Sequence, residues 1–323
     1  MSEATSQRTT PAAAGVVLSA LLLLLVSLLA GCATPQTAAL ASHAPPGLPR
    51  RVLLTDVPFF AQEQFQCGPA SLAMALNASG LSTTPEALQP EVYLPAREGS
   101  LQAEMLATAR RHGRLAVTLP PRLDAVLAEI ADGRPVIVLQ NLSLPIFPMW
   151  HYAVATGYDL DRREIVLNSG LVERQPLPLE VFERTWARSG YWAMVAVAPE
   201  RLPRSPAPDV LLAAAVALER VDPRAALPAY DALTRRAPSL LAWIGLGNAA
   251  YATRDPARAA IAFGRATRLD PASGDAWNNL ANALLALGRR DEARSAALRA
   301  IALGGPRIER YRETLTTIEQ AAK

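Results

Sequence analysis

The 323-residue chain is expected to fold as an α+β domain followed by an all-α repeat domain. Three observations predict this. Between residues 51 and 200, short apolar runs of strand character interleave with stretches of helical period. A proline-rich stretch, Pro203-Arg-Ser-Pro-Ala-Pro208, then interrupts the composition. Beyond it the sequence is rich in alanine and repeats at a 34-residue offset, Trp243 matching Trp277.

Composition narrows the chemistry. Half of the residues are apolar, enough for a sizeable core, and the formal charge is only +3. Of the 32 Lys and Arg residues, one is lysine, Lys323, so neither a phosphate-loop lysine nor a pyridoxal Schiff base is available inside the chain. No dense arginine cluster of nucleic-acid type occurs, and no nucleic-acid partner is expected. Three histidines, His43, His112 and His151, and two cysteines, Cys32 and Cys67, give too few close-spaced ligands for a closed zinc site. No cofactor or metal is expected.

Residues 1–31 read as an export signal. A polar start with Arg8 precedes an apolar run over 16–29, and small residues follow in Leu28-Leu29-Ala30-Gly31-Cys32. This ending resembles the bacterial lipobox, which implies lipidation of Cys32. Ala33 after the cysteine implies, by the same resemblance, anchoring to the outer membrane of a Gram-negative cell, facing the periplasm. Residues 32–50, rich in Ala, Pro and Thr, are expected to be a flexible tether. With Cys32 lipidated, Cys67 has no partner for a disulfide and becomes a candidate reactive thiol.

Within 51–200, a strand over 52–60 leads into a polar loop at 61–66, and Cys67-Gly68-Pro69 opens an apolar-periodic helix. A thiol at a helix amino terminus gains from the unpaired N–H groups there, which lower its pKa. Helices are expected at 85–88, 101–112 and 123–131, and strands at 115–119 and 135–139. His151 opens an apolar strand ending at Asp159, and a second strand covers 164–168. A hairpin turning near 160 or 161 returns 168–170 towards His151, so Asn168 is the candidate to orient the imidazole of a Cys–His pair. His112 reads as a solvated helix-end residue, Trp150 as core or cleft wall, and Asp159 and Asp161 as turn formers.

The stretch Val57-Pro-Phe-Phe-Ala-Gln62, continuing to Cys67-Gly-Pro-Ala-Ser-Leu-Ala-Met74, resembles the cysteine motif of the bacteriocin-processing, double-glycine peptidase-like family. His151-Tyr-Ala-Val-Ala-Thr-Gly-Tyr-Asp159 resembles its histidine motif. The resemblance implies a papain-like cysteine peptidase fold with Cys67 as nucleophile, His151 as base and Gln62 in the oxyanion hole, Gln64 being the rival. The family's usual third member is an aspartate followed by proline. Here the chain reads Asn168-Ser169-Gly170.

Residues 201–208 are expected to form a linker that proteases reach, and 209–323 a helical domain. Trp243-Ile-Gly-Leu-Gly247 and Trp277-Asn-Asn-Leu-Ala281, followed by small and aromatic residues at matched positions, resemble the tetratricopeptide repeat. About three units fit over 209–305, the first degenerate, with a capping helix at 307–322. Such repeats form a curved surface for a peptide or partner protein. The expected function is a cell-envelope cysteine peptidase acting on a peptide or protein, its repeats recruiting substrate or partner. The alternative is a lipid-anchored adaptor that binds without catalysis.

Overall fold

The computed structural model describes residues 34–42, 45–62 and 66–321. The signal-type stretch, Cys32, His43 and Gln64 lie outside the described residues. The frame is one antiparallel sheet of β1 (Arg51–Leu53), β4 (Leu115–Thr118), β5 (Val136–Asn141), β6 (Trp150–Asp159), β7 (Glu164–Ser169), β8 (Val172–Pro178) and β9 (Ala193–Val197). Its order is β4-β9-β5-β6-β7-β8, and β1 pairs with the far half of β6. β2 (Tyr93–Leu94) and β3 (Gly99–Ser100) form a separate ribbon.

Period-2 alternation gives the sheet two apolar faces. Ile137, Leu139, Tyr152, Val154 and Met194 lie in one core with α2 (Cys67–Ala78), α3 (Pro85–Val92) and α4 (Gln102–Arg111). Val136, Val138, Ala153, Ala155 and Val195 lie in the other, with α5 (Leu123–Ala131) and α6 (Leu179–Ala187). β8 was not anticipated because Pro176 and Pro178 weaken its strand signal. It is an edge strand, where proline is tolerated.

Three antiparallel helix pairs follow, α7 (Pro208–Glu219) with α8 (Pro223–Arg236), α9 (Leu240–Ala252) with α10 (Pro256–Leu269), and α11 (Gly274–Ala286) with α12 (Arg290–Leu303). α13 (Ile308–Gln320) closes the array. Asp222, Ser239, Asp255 and Ser273 cap α8 to α11 by accepting first-turn N–H groups, each cap being worth about 1 kcal/mol. Gly247 is required where α9 meets α10, since a Cβ there would lie 2.4 Å from the Phe263 ring.

Two expectations about flexible segments are corrected. Residues 35–42, expected to be tether, form a helix, α1 (Pro35–Ser42). The N–H groups of Gln36 and Thr37 donate to the Glu183 carboxylate of α6 at 2.9 and 2.6 Å, and Leu40 is buried. A carboxylate waiting at its amino end gives this short helix partners that composition does not reveal.

The linker is also held. Ser205 donates through N and Oγ to Glu129 Oε1 at 2.6 Å, and Arg134 reaches Leu202 O. Arg236 donates to the carbonyls of Pro203 and Arg204. α7 packs against the edge strand β4, and Leu211, Ala215 and Leu218 share the buried cluster of Leu115 and Val117. Sheet and repeats therefore share one core. Limited proteolysis of the native protein should leave 201–208 uncut. Early cleavage there, with release of a folded 50–200 fragment, would show that these bonds do not hold the segment in solution.

Candidate active site

Cys67 is the first residue of α2, a helix buried from Gly68 to Leu76. Gly68 is where the wall of the site comes closest, because a Cβ would meet Ser100 Oγ of β3 at 2.2 Å. His151 is the second residue of β6. Both line a cleft of about 990 Å³, together with Gln62, residues 97–102, Leu139, residues 148–150, Tyr152, Arg188 and Ser189. Trp150 is a cleft wall and not core, being half exposed.

Burial pushes the Cys67 thiol above its ordinary value, against the backbone N–H groups of Tyr152, Gly68 and Cys67 itself, which pull it down. Burial also lowers the His151 imidazole. On Cys67, desolvation and the N–H groups at the helix terminus therefore act in opposite senses, with desolvation the larger.

The orienting residue is also corrected. Asn168 stands opposite Val154, so alternation turns it to the face of Tyr152 and Val154, away from His151. Its Oδ1 accepts from Arg174 N at 2.9 Å and its amide touches Met74 Sδ at 3.7 Å. The residue that meets the imidazole is Ser169, with Oγ 2.9 Å from His151 Nε2. The expected return of 168–170 to His151 occurs, shifted one residue by the bulge between Ala155 and Gly157.

Gln62 is buried beside the helix start. Its Nε2 donates to Ser71 Oγ at 3.1 Å, its Oε1 accepts from Gly170 N at 2.9 Å, and its own N–H donates to Gly170 O at 2.9 Å. These bonds hold the amide at the cleft, and among the described residues its second N–H meets no acceptor. His112 is not merely solvated, since its Nε2 lies 3.0 Å from Glu91 Oε1. Asp159 is a turn former, accepting from the N–H groups of Asp161 and Arg162 at 3.0 Å.

Residues 54–194 match the model of the Peptidase_C39 like family. The sheet domain is a C39-like domain. Residues 211–272 and 246–307 match the tetratricopeptide repeat model. Among solved structures, the chain is similar to a C39-like peptidase from Bacillus anthracis at 19% identity and a TM-score of 0.40, covering 49% of this chain and 100% of that one. It is also similar to MamA at 20% identity and a TM-score of 0.34, covering 36% and 68%. A third is the first tetratricopeptide repeat of Spaghetti (RPAP3) bound to an HSP90 peptide, at 20% identity and a TM-score of 0.33, covering 36% and 92%. No curated protein matches the chain. In this domain a serine hydroxyl meets the histidine, where the resemblance led us to expect a carboxylate.

The two residues after β7's Leu167 separate by experiment. Ser169→Ala in the C39-like domain should slow any turnover about five- to tenfold, the worth of one neutral hydrogen bond of ~1 kcal/mol, at nearly unchanged stability. Asn168→Ala should instead lower the melting temperature, because Arg174 N loses its acceptor, at a cost of about 1–3 kcal/mol. Rates and melting curves of the two variants check this, and the reverse pattern would return the orienting role to Asn168.

Proposed function

We propose that this protein is a cell-envelope cysteine peptidase, lipid-anchored through Cys32 at the periplasmic side of an outer membrane, hydrolysing a peptide or protein bond. The observation that carries the reading is the shared cleft of Cys67 and His151, with the imidazole held from behind by Ser169. With Nε2–H donating to Ser169 Oγ, Nδ1 keeps its lone pair for the thiol proton. Cys67 Sγ attacks the scissile carbonyl as that proton passes to His151. The tetrahedral oxyanion receives hydrogen bonds from Gln62 Nε2 and the Cys67 N–H. Collapse breaks the C–N bond, and His151 returns the proton to the leaving amine. Water then hydrolyses the thioester, regenerating the thiol.

The tetratricopeptide repeats support a protein- or peptide-binding role. Asn248, Asn279 and Asn282 line a groove of about 450 Å³ with Tyr251, Phe263 and Arg310, a wall of amides and aromatic surface suited to an extended chain. Repeats tied to the C39-like domain through one core would present such a partner at a fixed distance from the cleft.

The second reading, an adaptor whose cleft binds without cleaving, is favoured by a hydroxyl where a carboxylate would stabilise the imidazolium. Alkylation of Cys67 against pH, with Cys67→Ala as control, tests the site. The thiol sits above the ordinary 9.0 and the imidazole below 6.5, so reactivity should climb about tenfold per pH unit across neutrality. An acid-stable plateau would mean a resting ion pair. A thiol that alkylates while a peptide library remains uncut would favour the adaptor.

A further inference from the structure

Eight large apolar side chains at one end of the sheet are exposed among the described residues. Leu142, Leu144, Ile146, Phe147, Met149 and Trp150 come from the β5–β6 loop, and Leu171 and Val172 from the β7–β8 turn, with Ile146, Phe147 and Leu171 at 76, 74 and 73% exposure. Strand register makes them neighbours. Asn141 pairs with Trp150, and Ser169 with Val172, so both connections leave the sheet at the same end. No charged residue occurs at 141–150 or 170–172. The loop is built: Asn141 Oδ1 accepts from Ser143 N and Met149 N, and Arg188 donates to the carbonyls of Asn141 and Ser143. A contiguous exposed apolar patch of this kind marks an interaction surface.

The cleft does not account for it. Met149 and Trp150 line the cleft, but Ile146, Phe147 and Leu171 do not. The path of the chain points to the occupant. α6 ends at this end of the sheet, where Arg188 grips the loop. α1 runs opposite to it: Gln36 and Thr37 sit on Glu183, whereas Leu40 and Ala41 lie beside Leu179 and the β6–β7 turn at the other end. Gln36 also bonds Pro121 O and Leu123 N, just beyond the β4 end that faces the same way. The described chain thus enters at the end that bears the apolar loops. Immediately before it in sequence stand Cys32 and the apolar run of 16–29.

We propose that the 142–150 loop and the 170–172 turn form a membrane-contact face that rests in the interfacial layer of a lipid bilayer. Phe147 and Ile146 insert their apolar side chains, and Trp150 sits at headgroup level, where an amphipathic indole is favoured. The cleft mouth then opens beside the lipid surface. Among the described residues no helix is long and apolar enough to cross a membrane, so this contact would be peripheral. The nearness to lipid rests on the anchor reading, whereas the face itself does not.

The test places the full chain on vesicles of phosphatidylethanolamine and phosphatidylglycerol with brominated acyl chains, and reads tryptophan emission. Part of the emission should be quenched, and Trp150→Phe should remove that part. The Ile146→Ser, Phe147→Ser double variant should lose about half or more of the Trp150 quenching while still co-sedimenting with vesicles. Co-sedimentation reports the anchor and quenching reports the face, so the two readings fail separately. Unquenched Trp150 in vesicle-bound protein overturns the proposal, as does equal quenching in the double variant. A lipid-free dimer that the double variant dissociates would assign the face to a second copy instead.

Discussion

Replacing Gln62 with alanine should lower turnover of a peptide substrate about a hundredfold or more while Cys67 still alkylates at close to the native rate. An oxyanion donor acts only when negative charge develops on the substrate oxygen, whereas alkylation of the thiol develops none there. The substitution also strips Gly170 N of its acceptor and Ser71 Oγ of its donor. Gln62→Glu separates these effects, since it keeps an oxygen for Gly170 N but brings an acceptor to the oxyanion. Both variants should lose turnover, and the glutamate should retain more of the native melting temperature. Equal loss of alkylation and turnover in both would reduce Gln62 to a scaffold residue.

Replacing Glu129 with alanine should destabilise the whole chain by about 3 kcal/mol, because it breaks a buried pair, strips Ser205 of its acceptor and leaves Arg134 with only the more exposed Asp132 as counter-charge. Glu129 is fully buried, its Oε2 3.0 Å from Arg134 Nη1 and its Oε1 taken by Ser205. The same carboxylate ties α5 to the segment entering the repeats, so the 201–208 stretch should become a protease site in this variant. Melting temperature and digestion pattern should change together. A variant that melts normally but is nicked would confine Glu129 to pinning the linker.

The two-part architecture was legible because its signals are local. The 34-residue offset, the proline-rich stretch at 203–208 and the Cys67-Gly-Pro helix start are all written in short stretches. The hairpin's approach to His151 was legible to within one residue. A hairpin read from its turn places 168–170 near His151, but only the bulge at Ala155/Gly157 decides that Ser169 and not Asn168 faces the ring. The burial of the thiol was not legible, for a different reason. A helix terminus shows in sequence, whereas the burial that outweighs it is the sum of side chains brought from distant segments. Likewise nothing near residue 36 announces Glu183, and nothing near residue 205 announces Glu129, since each bond spans more than seventy residues.

The contact of α7 with β4 has a consequence for biosynthesis. A chain made from its amino end completes the sheet at Val197, yet the outer edge of β4 and the apolar side of Val117 and Leu115 await residues up to Leu218. During that interval the apolar surface of edge strand β4 stands uncovered, a combination prone to intermolecular strand pairing. A ribosome stalled, or a message truncated, shortly after residue 200 would thus yield an aggregation-prone product and not a smaller soluble enzyme.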